Sequence, residues 1–430
     1  METLCKQLTN TYDTNILDNQ PDDIQDEFLN VSLQNRNNTT NPGKKVLMEL
    51  ICNHYNKRLK KPTAEFIGGP KTLSIHWHPF FQKIIYIFGE WHNNNMDCEK
   101  DAVMFPVEDY LYNLMLSTDV FLDIFIELRS YKGGEYFNNP YNKGSRTSEL
   151  FEKFRTCLQY NTRSDESCQL ARVHYFDIRN NNIFEINMED NKITILWFRQ
   201  KIKSILLLEK NNKSKCVSFL KLILQKFEKI STFLKELVQD DIKKVCEFMK
   251  KQLAEEPSIK KELGKIVENP KLKTKILTFC GKMICKEIKK NIKYIKQSVI
   301  NILNYEKESE DVLFESMEKI ELLLSQTMTI FADAYLLARV FKNFNMSEME
   351  KKAYKGATDQ PIHANNIIIY CGNTHANKYR NFLELIGFEE IEHAGDLTED
   401  PAYPIPNTPK NCLDMKKIKQ PFFSYKRYNL

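Results

Sequence analysis

The fold turns on Ile84-Ile85-Tyr86-Ile87-Phe88-Gly89-Glu90-Trp91-His92. Five apolar residues in a row are of strand length, and the lack of polar alternation marks a strand buried on both faces, as in a parallel sheet. Gly89 would permit a tight exit that brings backbone close to a ligand. Working outward, residues 106–116 read as a helix and 120–128 as a second buried strand. The short connections of this strand, helix, strand unit favour a right-handed parallel crossover. Residues 73–77 read as a strand before it and 172–178 as one after it. The same grammar returns late in the chain: a strand over 367–371, a helix over 376–386 and a strand over 387–391.

The fold class expected is therefore α/β, a mostly parallel central sheet flanked by helices, with a large and mainly helical insertion. Residues 1–43 read as a polar, poorly ordered arm, and 44–189 as the first α/β half. Residues 190–345 are the Lys-rich helical insertion, 346–397 the second α/β part, and 398–430 an irregular, Pro-containing tail. Inside the insertion, Ile288, Ile292, Ile295, Val299 and Ile302 step by four and three and put one apolar seam on a helix. Phe227, Ile230, Leu234 and Leu237 form a similar seam.

A chain of 430 residues can bury a large core, and 42% hydrophobic with 28% charged residues excludes a disordered or collagenous polymer. No apolar run approaches the ~20 residues of a membrane helix. The start METLCKQLTNTYDTN lacks the basic and apolar regions of a secretory signal, so the expected location is intracellular and cytoplasmic. Eleven Cys without a CxxC pair suggest reduced thiols. Residues 192–307 carry 28 basic against 12 acidic residues, a local +16; with +5 overall, the remainder carries −11. Nucleic acid is not the expected partner of this block, because it holds a single arginine, Arg199, and few interleaved aromatics.

Gly89-Glu90-Trp91-His92 and Gly372-Asn373-Thr374-His375 each follow an apolar strand. Random placement of 13 Gly and 8 His in 430 residues predicts 13 × 8 / 430, about 0.24 such pairs, so two at equivalent positions single out His92 and His375. Strand ends are where open α/β sheets bind ligands. Glu127, in the apolar run Ile124-Phe125-Ile126-Glu127-Leu128, needs a partner, a metal or a proton, and Arg179 is one candidate partner. Asp177 and Arg179 share one side of their strand; a guanidinium there suits a substrate carboxylate or phosphate, and an Asp177–Arg179 salt bridge is the alternative. His76 and His78 share a strand face, read as the exposed side of a hairpin. Tyr335 and Arg339 sit one turn apart on an apolar helix.

IIYIFGEWHNNN (84–95) resembles the first motif of ChaN-like proteins and erythromycin esterases. IIIYCGNTHANKYRNFLELIGF (367–388) is similar to the closing motif of the TraB, TIKI and ChaN group, and FIELRS (125–130) to the acidic residue after the family's second strand. The resemblance covers residues 82–130 and 364–392. It implies a pocket built from Glu90, His92, Glu127 and His375, acting on an ester or peptide bond of a small-molecule or peptide substrate. It also implies a divalent metal, Mn or Zn, on His92, Glu127 and His375, with haem a lesser alternative. The competing reading is a catalytically inactive binding or structural protein, haem- or metal-binding or a viral component, that keeps the same fold.

Overall fold

The structure is a computed structural model that describes residues 61–91, 98, 104–118, 120–129, 150, 154, 171–180, 195–209, 212–226, 228–344, 361–397 and 411–423. The expected arm, residues 1–43, lies outside these residues. The chain divides into two compact units. One comprises Met1–Glu127, Phe137–His174 and Asn343–Leu430 and holds the sheets; the other comprises Leu128–Tyr136 and Tyr175–Lys342 and is helical.

In the first unit the strands are β1 (Phe66–Gly68), β2 (Pro70–His78), β3 (Lys83–Glu90), β4 (Met104–Pro106), β5 (Leu122–Arg129), β6 (Ala171–Asp177), β7 (Asn366–Gly372), β8 (Glu389–Ala394) and β9 (Cys412–Asp414). Six form one sheet in the order β6-β5-β7-β3-β2-β8, and three form a small sheet in the order β4-β1-β9. β7 pairs in parallel with β3 on one side and β5 on the other, whereas β2 runs antiparallel to both β3 and β8. The central sheet is thus mostly parallel, as the unbroken apolar runs required. β3 is buried from Lys83 to Glu90. Tyr86 and Phe88 pack on Phe422, which also meets Tyr110 of helix α1 (Val107–Ser117). The alternate residue Gly89 faces the opposite helix, α9 (Asn373–Leu385).

Two expectations change here. The tail is not wholly irregular: β9 pairs with β1, and Cys412 forms a disulfide with Cys98. A reduced state therefore does not hold for every cysteine, although Cys216, Cys246, Cys280, Cys285 and Cys371 are free thiols. His76 is not on an exposed face; it is buried beside Ser74 on the face of β2 that α9 covers, where Arg380 donates to Ser74 and Thr72. Burial, with the charge of Arg380 second, pushes its pKa down from 6.5 to about 3. His78 sits instead among Phe80, Phe81 and Phe388.

The helical unit contains α2 (Ile195–Leu208), α3 (Lys213–Lys226), α4 (Glu228–Leu237), α5 (Ile242–Glu255), α6 (Pro257–Gly264), α7 (Pro270–Leu303) and α8 (Glu310–Phe341). The seams take their expected positions: Ile288, Ile295, Val299, Ile302, Ile230, Leu234 and Leu237 are all buried. Among the described residues α8 alone is long and apolar enough to cross a membrane, and 67% of its most apolar window is buried within the protein. Ser, Thr and charged residues break its apolar run, in keeping with the sequence reading that no such run approaches ~20 residues.

Candidate functional site

The connection from β3 passes through α1 and crosses β7 to reach β5, whereas the one from β7 passes through α9 and crosses β3 and β2 to reach β8. Two adjacent parallel strands whose connections leave in opposite directions make a topological switch point, with a crevice beyond their carboxyl ends. Gly89, Glu90 and Trp91 of the first motif and the whole of the second lie at that point, and Glu90 is in register with Gly372.

Gly89 is required for a different reason than a tight exit. A Cβ there would lie 2.4 Å from Asn373 Oδ1 and 2.5 Å from Thr72 Oγ1, so glycine lets the first turn of α9 press onto β3. Gly372 caps α9 with extended backbone, φ −60° and ψ 146°. His375 consequently occupies the first turn of a helix, not a loop.

Glu127 reaches this helix start from β5. Its Oε2 accepts the Gly372 N–H at 2.8 Å, and its Oε1 lies 3.3 Å from His375 Nε2. A carboxylate there is favoured by the positive end of the helix dipole as well as by the hydrogen bond. The other side of the imidazole stack is Tyr379, one turn on, with ring centroids 6.2 Å apart. Glu127, His375 and Tyr379 are all buried.

Glu90 points away from this pair. Strand alternation sends it to the face opposite Gly89, where the Tyr370 hydroxyl donates a short hydrogen bond to its Oε2. The structure thus joins Glu127 to His375, joins Glu90 to Tyr370, and sets the two pairs on opposite faces of β3 and β7. His92 lies outside the described residues.

Arg179 forms the salt bridge with Asp177 that the sequence reading gave as an alternative. β6 stops at Asp177, and a 3-10 turn (Ile178–Asn180) lets the Asp177 carboxylate take Arg179 Nε at 2.7 Å and Nη2 at 3.1 Å. Both residues fall in the helical unit, where the Arg179 carbonyl also receives Arg199. Arg339, in the same unit, donates to the Tyr175 carbonyl and to Tyr335.

Two clusters escaped the sequence reading. Arg380 donates from α9 to Ser74, Thr72 and Asn377, and Thr72 donates to Asn373 Oδ1 at 2.8 Å. Burial of this guanidinium lowers its pKa to about 10. Its position was legible: Ala376, Tyr379, Arg380 and Leu383 share one helical face, and that face is buried. Asp123, wholly buried, accepts Arg172 Nε and Nη2 at 2.8 and 3.0 Å and contacts His174 Nε2 at 2.8 Å. Burial alone would raise its pKa, but the His174 hydrogen bond and the Arg172 charge together outweigh that and hold it below the usual carboxylate value.

A metal fits the described donors only in part. Glu127 and His375 face one another, and among the described residues no group of three His, Cys, Asp or Glu side chains is placed to hold an ion. Two buried donors at the motifs, Trp91 Nε1 and Asn373 Nδ2, have no acceptor among the described residues. No family model matches this chain, and neither the curated proteins nor the solved structures include a match.

Proposed function

We propose that this protein is a hydrolase of ester or peptide bonds in which His375, oriented by Glu127, handles the proton of an attacking water. The observation that carries the reading is the buried Glu127–His375 pair at the start of α9, at the switch point of the sheet. A carboxylate on Nε2 favours the tautomer with its proton there, which makes Nδ1 the basic nitrogen, and it stabilises the imidazolium formed when Nδ1 takes a proton. Glu90, hydrogen-bonded by Tyr370, is a second group able to give or take a proton at the strand ends. Trp91 Nε1 and Asn373 Nδ2 are suited to a carbonyl oxygen that gains negative charge. His92, by its motif, belongs to the same set. No step is assigned to a metal.

The second reading, an inactive binding or structural protein, is favoured by one feature: the polar groups of both pairs are engaged by internal partners. A screen of ester and peptide substrates, with and without Mn²⁺ or Zn²⁺, separates the two. Wild type should turn over at least one substrate, and His375→Ala and Glu127→Gln should lose about 10²-fold or more while keeping the wild-type circular dichroism spectrum. Turnover equal in wild type and both variants, or absent throughout the panel, rejects the hydrolase.

A further inference from the structure

The helical unit contains a feature that the proposed chemistry does not use. On α7, Lys271, Lys275, Lys282, Lys286 and Lys289 are exposed, and at 100° per residue they fall within an arc of about 60°. From first to last they extend about 27 Å along the axis. None of the five, nor the exposed Lys290 beside them, has an ion-pair partner among the described residues, and Glu287 is the single acidic residue of the helix. Like charges three and four residues apart repel by a few tenths of a kcal/mol per pair, so the row is maintained against its own repulsion. Lys250 of α5 adds to it, its stem lying across Gly281, where a Cβ would come within 2.9 Å of Lys250 Cγ.

We infer that this lysine row binds the phosphate backbone of double-stranded nucleic acid. The low arginine content argued against nucleic acid when the charge was taken as a block average; the structure adds that the lysines lie in one row along α7, with the neutral, exposed Thr278 between Lys275 and Lys282. Lysines act on phosphates as point charges, whereas reading base edges calls on arginine forks and gripping single strands on exposed aromatics, and the row has neither. The binding is therefore to duplex and independent of sequence. An anionic membrane fits less well. A helix lying on lipid inserts an apolar face, but Leu272, Ile276, Cys280, Ile284 and Ile288 of α7 are all buried inside the unit.

The test is fluorescence anisotropy of the full chain with a labelled mixed-sequence 30-base-pair duplex, from 50 to 200 mM salt. Five phosphate contacts give a slope of log K on log salt near −4.5, roughly a 500-fold loss of affinity over that range. Replacing Lys275, Lys282, Lys286 and Lys289 by Gln should reduce the slope to near −1 and the loss to about 4-fold. A control with Lys213, Lys215, Lys251 and Lys319 changed to Gln should bind as wild type, and circular dichroism should be unchanged in both. The inference is overturned if wild type does not bind duplex, if both quadruple variants lose affinity equally, or if the α7 variant loses binding only to phosphatidylserine vesicles.

Discussion

Replacing Asp123 by Asn tests how the sheet tolerates its buried charges. Asp123 is 0% exposed and receives three charge-assisted or polar contacts at 2.8 to 3.0 Å, two from Arg172 and one from His174. Arg172 is itself buried, with its guanidinium 3.9 Å from the Phe344 ring centroid and a further bond to the Pro361 carbonyl. Asn keeps the shape but removes the charge, which leaves Arg172 buried without its counter-ion. Breaking a buried pair from one side costs about 3–5 kcal/mol. At roughly 2–4 °C per kcal/mol for a unit of this size, Tm should fall by about 6–20 °C. The sign with pH follows from the depressed carboxyl. Its contribution is complete above the unfolded value near ~3.9 and is lost as pH falls through the lower folded value. Urea titrations at pH 7, 5, 4 and 3 should therefore show the gap between wild type and Asp123→Asn constant at the first two and closing at the last. A variant within 1 kcal/mol of wild type at pH 7, or a gap that widens on acidification, would refute the account. Changing Asp123 to Leu and Arg172 to Met together should recover part of the loss, because no lone charge then remains.

Three further outcomes follow from the same geometry. Gly89→Ala pushes a methyl to 2.4 Å from Asn373 Oδ1, so the first turn of α9 must retreat; a loss of about 1–3 kcal/mol is expected by urea denaturation, with reduced turnover if His375 moves. His76, with a folded pKa of about 3, should show no imidazole titration by NMR above pH 5, and stability should fall as pH drops from ~6.5 toward 3; His76→Gln should flatten that slope. Cys412→Ser removes the disulfide to Cys98 and should cost about 2–4 kcal/mol, and non-reducing peptide mapping of wild type should recover the two cysteines in one cross-linked fragment.

How much the sequence disclosed depended on which physical rule governed each residue. The runs around Tyr86, Ile124 and Ile368 carried the parallel sheet because burial on both faces leaves no polar alternation. Glu127 stood out because a carboxylate inside such a run must be satisfied, and the partners turned out to be a helix start and His375. The identity of those partners was not legible, since it depends on β7 lying beside β5, a pairing across about 240 residues. Of the two readings of Arg179, the structure shows the salt bridge: the turn after Asp177 brings the guanidinium back onto that carboxylate. His76 was read as exposed because alternation along β2 cannot reveal that a helix from some 300 residues later, α9, covers that face. Gly89 was identified as special but for the wrong cause, because contact with α9 is invisible from the local chain.

The placement of β7 between β3 and β5 also sets the timetable of assembly. Each earlier strand can pair on one side, β3 with β2 and β5 with β6, but the edge that β7 fills stays open until the ribosome has passed Gly372, some 245 residues after Glu127. At about 5–20 residues per second that is roughly 12–50 s during which one edge of each of these strands, rich in isoleucine and phenylalanine, is unpaired. The whole helical block is synthesised in that interval. Nascent chains that stall before residue 366 thus keep two apolar strand edges open to pairing with another chain.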